Sequence, residues 1–231
     1  MTPQDLQAWR RTLRHQLIEK RAALPRAILD EYRLRIDTYL QRSFPDLAHG
    51  VIAFCWPYKN EYDARHLLAG LRRRGVTTVL PVIVAPKSAL VFREWHPGVT
   101  LEEGPLGIPF PSNGPQVQPD TVLLPVVGFD AGGYRLGYGG GYFDRTLAAI
   151  AHRPRVIAIA YEFMFVETIH PQPHDLPVDY VVTERGVYVR RAEGGLRFDE
   201  EPSPGYSSPP CYASQIAPDY FGEFQPPKPR P

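Results

Sequence analysis

Seven glycines, two arginines and two aspartates crowd residues 128–145, GFDAGGYRLGYGGGYFDR, between an apolar run at 122–127 and a helix-like run at 146–151. Glycine lacks a Cβ, so its backbone reaches left-handed torsions and approaches a ligand closely. Successive N–H groups in such a loop, with a helix start behind them, form a concave anion site. Arg135 and Arg145 add planar donors matched to phosphate oxygens. Asp144, near the helix start, suits either the helix dipole or a magnesium ion beside phosphates. Tyr138, Tyr142 and Phe143 offer flat surfaces for a ring. The chemistry this set suggests is phosphate binding with a metal carboxylate attached. Gly137-Tyr138-Gly139-Gly140-Gly141-Tyr142 lacks the last glycine of the dinucleotide fingerprint, and no GxxxxGK[ST] motif occurs.

Further charges fall at helical spacing. Arg10, Arg14 and Arg21 share one face of a helix, as a solvated basic face or as a clamp for phosphate or carboxylate. His170 and His174 have the spacing of metal ligands, but Pro171 and Pro173 prevent a regular helix from carrying both. Glu102-Glu103 reads as a solvated pair, Trp9 as core, and Cys55 as a packed thiol rather than a nucleophile.

The elements that must position these groups follow from periodicity. Leu6, Trp9, Leu13, Leu17 and Leu24 mark an amphipathic helix ending before Pro25, and a second helix is expected over 27–42. Short apolar runs then predict strands at 51–54, 77–80, 89–93, 121–127, 155–160, 180–183 and 187–189, with helices over 61–74 and from 146. Pro81 is expected to stop the second strand, and 101–119, rich in glycine and proline, to be irregular. Alternating strands and helices imply an α/β fold: one three-layer domain, a mostly parallel sheet flanked by helices, Rossmann-like in topology. Ligands in such sheets bind beyond the carboxyl ends of strands, where the glycine loop falls.

Composition sets the outer bounds. The chain has 231 residues, 43% hydrophobic and 22% charged, enough for a sizeable core. A net charge of +1 gives no electrostatic case for nucleic acid or membrane. Two cysteines, Cys55 and Cys211, argue against a disulfide framework and fit a reducing cytosol, so a cytoplasmic monomer is expected. The 26 prolines crowd towards the end. The domain is therefore expected over 1–190, with 191–231 a Pro-rich tail, extended or disordered, whose aromatics could pin it to the domain or to a partner.

The run Asp120…Pro125…Phe129-Asp130…Arg135-Leu136-Gly137…Gly139…Gly141-Tyr142-Phe143-Asp144-Arg145 resembles the signature of the 5-formyltetrahydrofolate cyclo-ligases, also called methenyltetrahydrofolate synthetases. Arg10-x-x-Leu13-Arg14, Glu61-x-Asp63, Phe92-x-x-Trp95-x-Pro97-Gly98 and His174-Asp175 agree in order, and the likeness covers roughly residues 6 to 190. The resemblance implies ATP-dependent cyclisation of 5-formyltetrahydrofolate to 5,10-methenyltetrahydrofolate through a phosphorylated formyl group. It implies that Arg10, Arg14, Arg135, Gly137, Tyr138, Gly139, Gly140, Gly141, Tyr142, Asp144 and Arg145 hold ATP. Asp144 and Asp175 would hold Mg²⁺, while Glu61, Phe92, Trp95 and Tyr142 would bind folate. Arg135, Tyr142 and Asp144 would act in catalysis. The chain departs from the family pattern at Phe110, where an acid is usual, at Met164, where many relatives have Gln, and at Phe143. These leave two alternatives open: a relative using the same ATP site on another formyl or acyl compound, and a non-catalytic folate- or nucleotide-binding protein.

Overall fold

The computed structural model describes residues 2–199. It opens on α1 (Pro3–Ala22), started by a capping box in which Thr2 and Asp5 satisfy each other's backbone N–H groups. Leu6 and Leu17 are its buried apolar residues, and Leu17 reaches the backbone of Gly128, where an added Cβ would lie 3.0 Å from its Cδ1. The first helix is thereby seated beneath the segment that becomes the glycine loop. α2 (Arg26–Ser43) buries Ile36 and Leu40.

The main sheet has eight strands. In chain order they are β1 (Val51–Phe54), β2 (Thr77–Val82), β3 (Val91–Glu94), β6 (Thr121–Pro125), β9 (Arg155–Ile159), β11 (Tyr180–Val182), β12 (Val187–Arg190) and β13 (Leu196–Asp199); α3 (Arg65–Arg73) links β1 to β2. Their spatial order is β13-β12-β11-β9-β6-β1-β2-β3. The five central strands, β2, β1, β6, β9 and β11, are parallel, and antiparallel β3, β12 and β13 finish the edges. Numbered among themselves by chain order, the parallel strands run 2-1-3-4-5, with the direction of winding reversing between β1 and β6. Ile52, Val79, Val156, Ile157, Val181 and Val182 are wholly buried, which is why these strands read as unbroken apolar runs.

Four details differ from the sequence expectation. Pro81 lies inside β2 rather than ending it: β1 pairs β2 only as far as Val79, so no strand on that side needs an N–H from residue 81. Residues 61–64 precede α3 instead of forming its first turn. The stretch after 100 is not wholly irregular, because β4 (Leu101–Glu103) and β5 (Pro109–Pro111) pair as a hairpin turned at Gly107, φ +71°. The domain also runs beyond 190. β13 pairs with β12, and the Phe198 ring lies 4.7 Å from that of Tyr188, so the sheet extends at least to Asp199. Polar spacing around Gly194 and Gly195 hid this hairpin, both glycines having positive φ. The remainder of the expected tail, 200–231, lies outside the described residues.

Candidate active site

The glycine segment leaves the sheet after β6, at the reversal of winding. It folds first into a small three-stranded sheet of β7 (Gly128–Asp130), β8 (Arg135–Leu136) and β10 (Phe165–Val166). Asp130 organises this turn. Its Oδ1 accepts the N–H groups of Gly132 and Tyr134 at 3.0 Å each, and its Oδ2 accepts that of Ile169 at 3.0 Å. Three backbone bonds on a buried carboxylate make Asp130 a structural group. The chain then runs exposed through residues 137–140 into α4 (Tyr142–Ala149), whose N-cap is Gly141 in the left-handed region at φ 64°. The first-turn N–H groups of α4 have no carbonyl partner within the helix.

Arginines surround this loop. Arg14 Nε donates to the Gly137 carbonyl at 2.7 Å, and Arg145 Nη2 to the Gly140 carbonyl at 2.6 Å. Gly139, at φ +92°, lies so close to Arg14 that an added Cβ would sit 3.3 Å from the guanidinium carbon. Burial and the positive Arg10 and Arg11 push the Arg14 pKa down, the repulsion an added anion would relieve. Arg145 Nε is buried with no partner among the described residues, an orphan donor beside the loop. The Arg145 guanidinium also lies 5.0 Å over the Tyr142 ring.

Behind the loop, Arg135 Nη2 pairs with Asp144 Oδ1 at 2.7 Å, and Arg135 Nη1 donates to the Leu176 carbonyl. Asp144 Oδ1 also accepts the Leu176 N–H at 3.4 Å, and its Oδ2 has no hydrogen-bond partner among the described residues. The neighbouring Asp175 pairs with Arg10 at 2.6 Å and accepts the Gln172 N–H at 2.7 Å through the same Oδ2. Arg10 further donates to the carbonyls of Ile169 and His170. Residues 169–176 thus join the first helix to the start of α4, a link that no spacing in the sequence revealed. Hydrogen bonding by Arg10 and Gln172 holds the Asp175 pKa below the usual carboxylate value against the opposing effect of burial. Asp175 is accordingly committed to Arg10. Among the described residues no group of three or more His, Cys, Asp or Glu side chains could hold a metal ion, His170 and His174 included.

Glu61 lies across the reversal point, after β1. Lys59 and Asn60 both take left-handed torsions, φ 47° and 60°, turning the chain so that Glu61 points inward. Its Oε1 accepts the Tyr138 hydroxyl at 2.6 Å, its Oε2 accepts the Tyr58 N–H at 3.0 Å, and Arg21 Nη2 stands 3.4 Å from Oε1. Burial raises the Glu61 pKa, while Arg21, Tyr138 and Tyr58 oppose that rise. Arg21 therefore faces the buried Glu61 carboxylate and the Tyr138 hydroxyl, to which it donates at 2.6 Å, although its spacing from Arg14 puts both arginines on one face. Beneath this pair a cavity of about 10 Å³ is lined by Arg21, Glu61, Pro125, Ile159, Tyr161 and Met164, among others. It sits at the carboxyl ends of β6 and β9. A larger groove of about 610 Å³ lies at the amino ends of β9 and β11, open to solvent and lined by Arg153, Arg155, Asp179 and Arg190.

Phe92 and Trp95, expected to line a folate pocket, do not line the cavity beside Glu61. Both are core side chains, 3% and 2% exposed. Trp95 packs edge-on against Phe54 and Trp56, because β3 turns it inward across β2. Trp56 is the partly exposed member of that group, with the Arg65 guanidinium 4.4 Å over its ring. Of the three departures from the family pattern, Met164 is fully buried at the cavity, Phe110 packs over Gly104 within its own hairpin, and Phe143 is partly buried against the core. Trp9 is only half-buried, edge-on to His170 at 4.8 Å, and so is not core. Cys55 is partly buried, and its surroundings push its thiol pKa up, which disfavours a nucleophilic role.

A glycine loop with a helix behind it, at the reversal point of a mainly parallel sheet, defines an α/β protein of the phosphate-binding type. The particular family follows from comparison. The sequence pattern of the 5-formyltetrahydrofolate cyclo-ligase family matches residues 6–184, and the chain belongs to that family. It is 34% identical over 150 residues to the 5-formyltetrahydrofolate cyclo-ligase of Escherichia coli K12, covering 62% of this chain and 81% of the relative. The Mycolicibacterium smegmatis cyclo-ligase is 27% identical over 191 residues, covering 78% and 96%. Two solved structures share the fold. The 5,10-methenyltetrahydrofolate synthetase of Aquifex aeolicus has a TM-score of 0.66 at 29% identity, covering 82% of this chain and 96% of its own. That of Mycoplasma pneumoniae has a TM-score of 0.63 at 25% identity, covering 76% and 98%. Membership makes the chain an enzyme, an ATP-dependent ligase of folate one-carbon metabolism.

Proposed function

We propose that this chain converts 5-formyltetrahydrofolate to 5,10-methenyltetrahydrofolate, consuming one ATP and releasing ADP and phosphate. The observation that carries this reading is the Arg14–Gly137 and Arg145–Gly140 cradle standing next to the buried Glu61–Arg21 pair. One half is built for phosphate and the other for a polar ring. Loop N–H groups, Arg14 and Arg145 would bind the nucleotide's phosphates, with Arg10 held nearby by Asp175. Arg135 fixes the Asp144 carboxylate through its Oδ1. The free Oδ2 suits a magnesium ion, which commonly takes one carboxylate and completes its shell from phosphates and water. Such an ion would neutralise phosphate charge. Asp144 is the residue we assign to it; Asp175 instead positions Arg10.

Glu61 would accept two hydrogen bonds from the amino-pyrimidinone edge of the pterin. The formyl oxygen would then attack the γ-phosphorus, the β–γ bridge would break, and ADP would leave. N10 would add to the activated formyl carbon and give up its proton, closing the five-membered ring, and loss of phosphate would then leave the methenyl C=N bond. Such transfers depend on positioning and charge neutralisation more than on a protein nucleophile, consistent with a Cys55 thiol whose pKa burial pushes up. Met164, fully buried beside the Glu61–Arg21 pair, offers an apolar contact where many relatives place an amide. Among the described residues no helix is long and apolar enough to cross a membrane.

Asp144→Asn tests the metal assignment. The expected result is a kcat loss of about a hundredfold together with a raised magnesium requirement. An unchanged magnesium dependence would remove Asp144 from that role.

A further inference from the structure

Tyr138 is an exposed residue whose hydroxyl enters a buried ion pair. The residue as a whole is 40% exposed, while the side chains it reaches, Arg21 and Glu61, are 2% and 3% exposed. Its hydroxyl donates to Glu61 Oε1 and accepts from Arg21 Nη2, each at 2.6 Å, so both hydrogen-bonding capacities are used. Its ring stands edge-on to Tyr58, whose own N–H holds Glu61 Oε2. In this state both carboxylate oxygens of Glu61 are taken. The loop carrying Tyr138 is pinned on either side as well: Arg14 holds the carbonyl of Gly137, just before it, and Arg145 that of Gly140, two residues after it.

We infer that Tyr138 is a positioning residue that couples the two substrates, by occupying at Glu61 the place of the folate ring's donor edge. This rests on the reading of Glu61 as the acceptor for that edge. A ring N–H reaches Oε1 only as the Tyr138 hydroxyl withdraws, and withdrawal displaces the glycine loop. A nucleotide works on the same loop from the other side. Its phosphates draw Arg14 and Arg145 off the carbonyls of Gly137 and Gly140, and the loop then holds Tyr138 less firmly. The cost of releasing the loop is met once, by whichever ligand arrives first, so each ligand binds more tightly in the presence of the other. Coupling of this kind is reciprocal by thermodynamic necessity. Arg21 remains beside Glu61 throughout and keeps the carboxylate ionised while the tyrosine is away.

The test is the dissociation constant of 5-formyltetrahydrofolate, measured by calorimetry with and without a non-hydrolysable ATP analogue and Mg²⁺, in wild type, Tyr138→Phe and Glu61→Gln. In wild type the analogue should tighten folate binding by about fivefold or more. Tyr138→Phe keeps the ring against Tyr58 and removes only the hydroxyl. It should bind folate alone about tenfold more tightly than wild type, the order expected for losing a competing bond to a charged group. Its ratio with and without the analogue should fall towards one. A role in structure alone would predict weaker binding instead. Wild type showing no coupling overturns the inference without reference to any variant. Tyr138→Phe with wild-type affinity and ratio also overturns it, if Glu61→Gln has weakened folate binding and so upheld the role of Glu61. Glu61→Gln that binds folate as wild type does removes the reading of Glu61 itself, and the inference falls with it.

Discussion

Glu61 shows how one buried carboxylate is kept ready for a polar ring. Burial pushes its pKa up, and the Arg21 guanidinium, with the Tyr138 and Tyr58 hydrogen bonds, pulls it back. The sign for pH follows directly. Ring binding requires the ionised form, so folate affinity should fall as pH drops through the raised pKa, with a midpoint above the ordinary carboxylate value. Removing the Tyr138 hydroxyl, which favours the charged form, should move that midpoint higher still. Folate binding measured across acidic pH in wild type and Tyr138→Phe checks both shifts. A midpoint at or below the usual glutamate value would contradict the burial argument. Arg21 marks the limit of reading a sequence at this scale. Its seven-residue spacing from Arg14 correctly puts both on one face of α1, but spacing carries no information on depth, and Arg21 is 1% exposed. Depth is set by the chain at Tyr58 and Lys59, whose carbonyls accept from Arg21 and which lies far away in sequence.

Among the elements, the loop between β8 and α4 holds most of the site. Gly139 combines φ +92° with a close approach to Arg14. Alanine there would be strained in torsion, at a cost of about 1 kcal/mol, and would push the guanidinium away. Gly139→Ala should therefore raise the KM for ATP about tenfold while the melting temperature moves little, because the loop is exposed and buries almost no apolar surface. Steady-state kinetics beside thermal unfolding separate the two effects; a large drop in stability with an unaltered KM would mean that the glycine serves the fold and not the nucleotide. The loop's position after a strand and before a helix was legible from the apolar run before it and the glycine density within it. The small sheet of β7, β8 and β10 was not. Its strands are two or three residues long, too short for any period to register, and β10 pairs with a strand far away in the chain. The β4–β5 hairpin escaped for a related reason, since proline and glycine mask strand character until a partner strand is known.

Over the whole molecule, the five parallel strands were readable because burial on both faces makes each a continuous apolar run. The edges were harder: β13 faces solvent along part of its length and follows two glycines, so its sequence looks like the start of a tail. Its packing makes a clear expectation. A chain ending at Asp199 should retain the melting behaviour of the sheet, whereas one ending at Arg190 loses the Phe198–Tyr188 contact and exposes β12 as an edge. The shorter chain should melt roughly 5 °C lower, as circular dichroism would show. Equal melting temperatures would put the boundary back at 190. The fold as a whole serves to bring three distant segments together: the first helix with Arg10 and Arg14, the turn after β1 with Glu61, and the glycine loop after β6. A site for two substrates follows from that meeting at the reversal point. Its most direct test is to mix the purified protein with 5-formyltetrahydrofolate, ATP and Mg²⁺, and to follow the near-ultraviolet absorbance of the methenyl product beside phosphate release. The account predicts equal amounts of methenyl product and phosphate, with neither formed when ATP or folate is left out. Phosphate released without folate, or no methenyl absorbance with both substrates present, would contradict it.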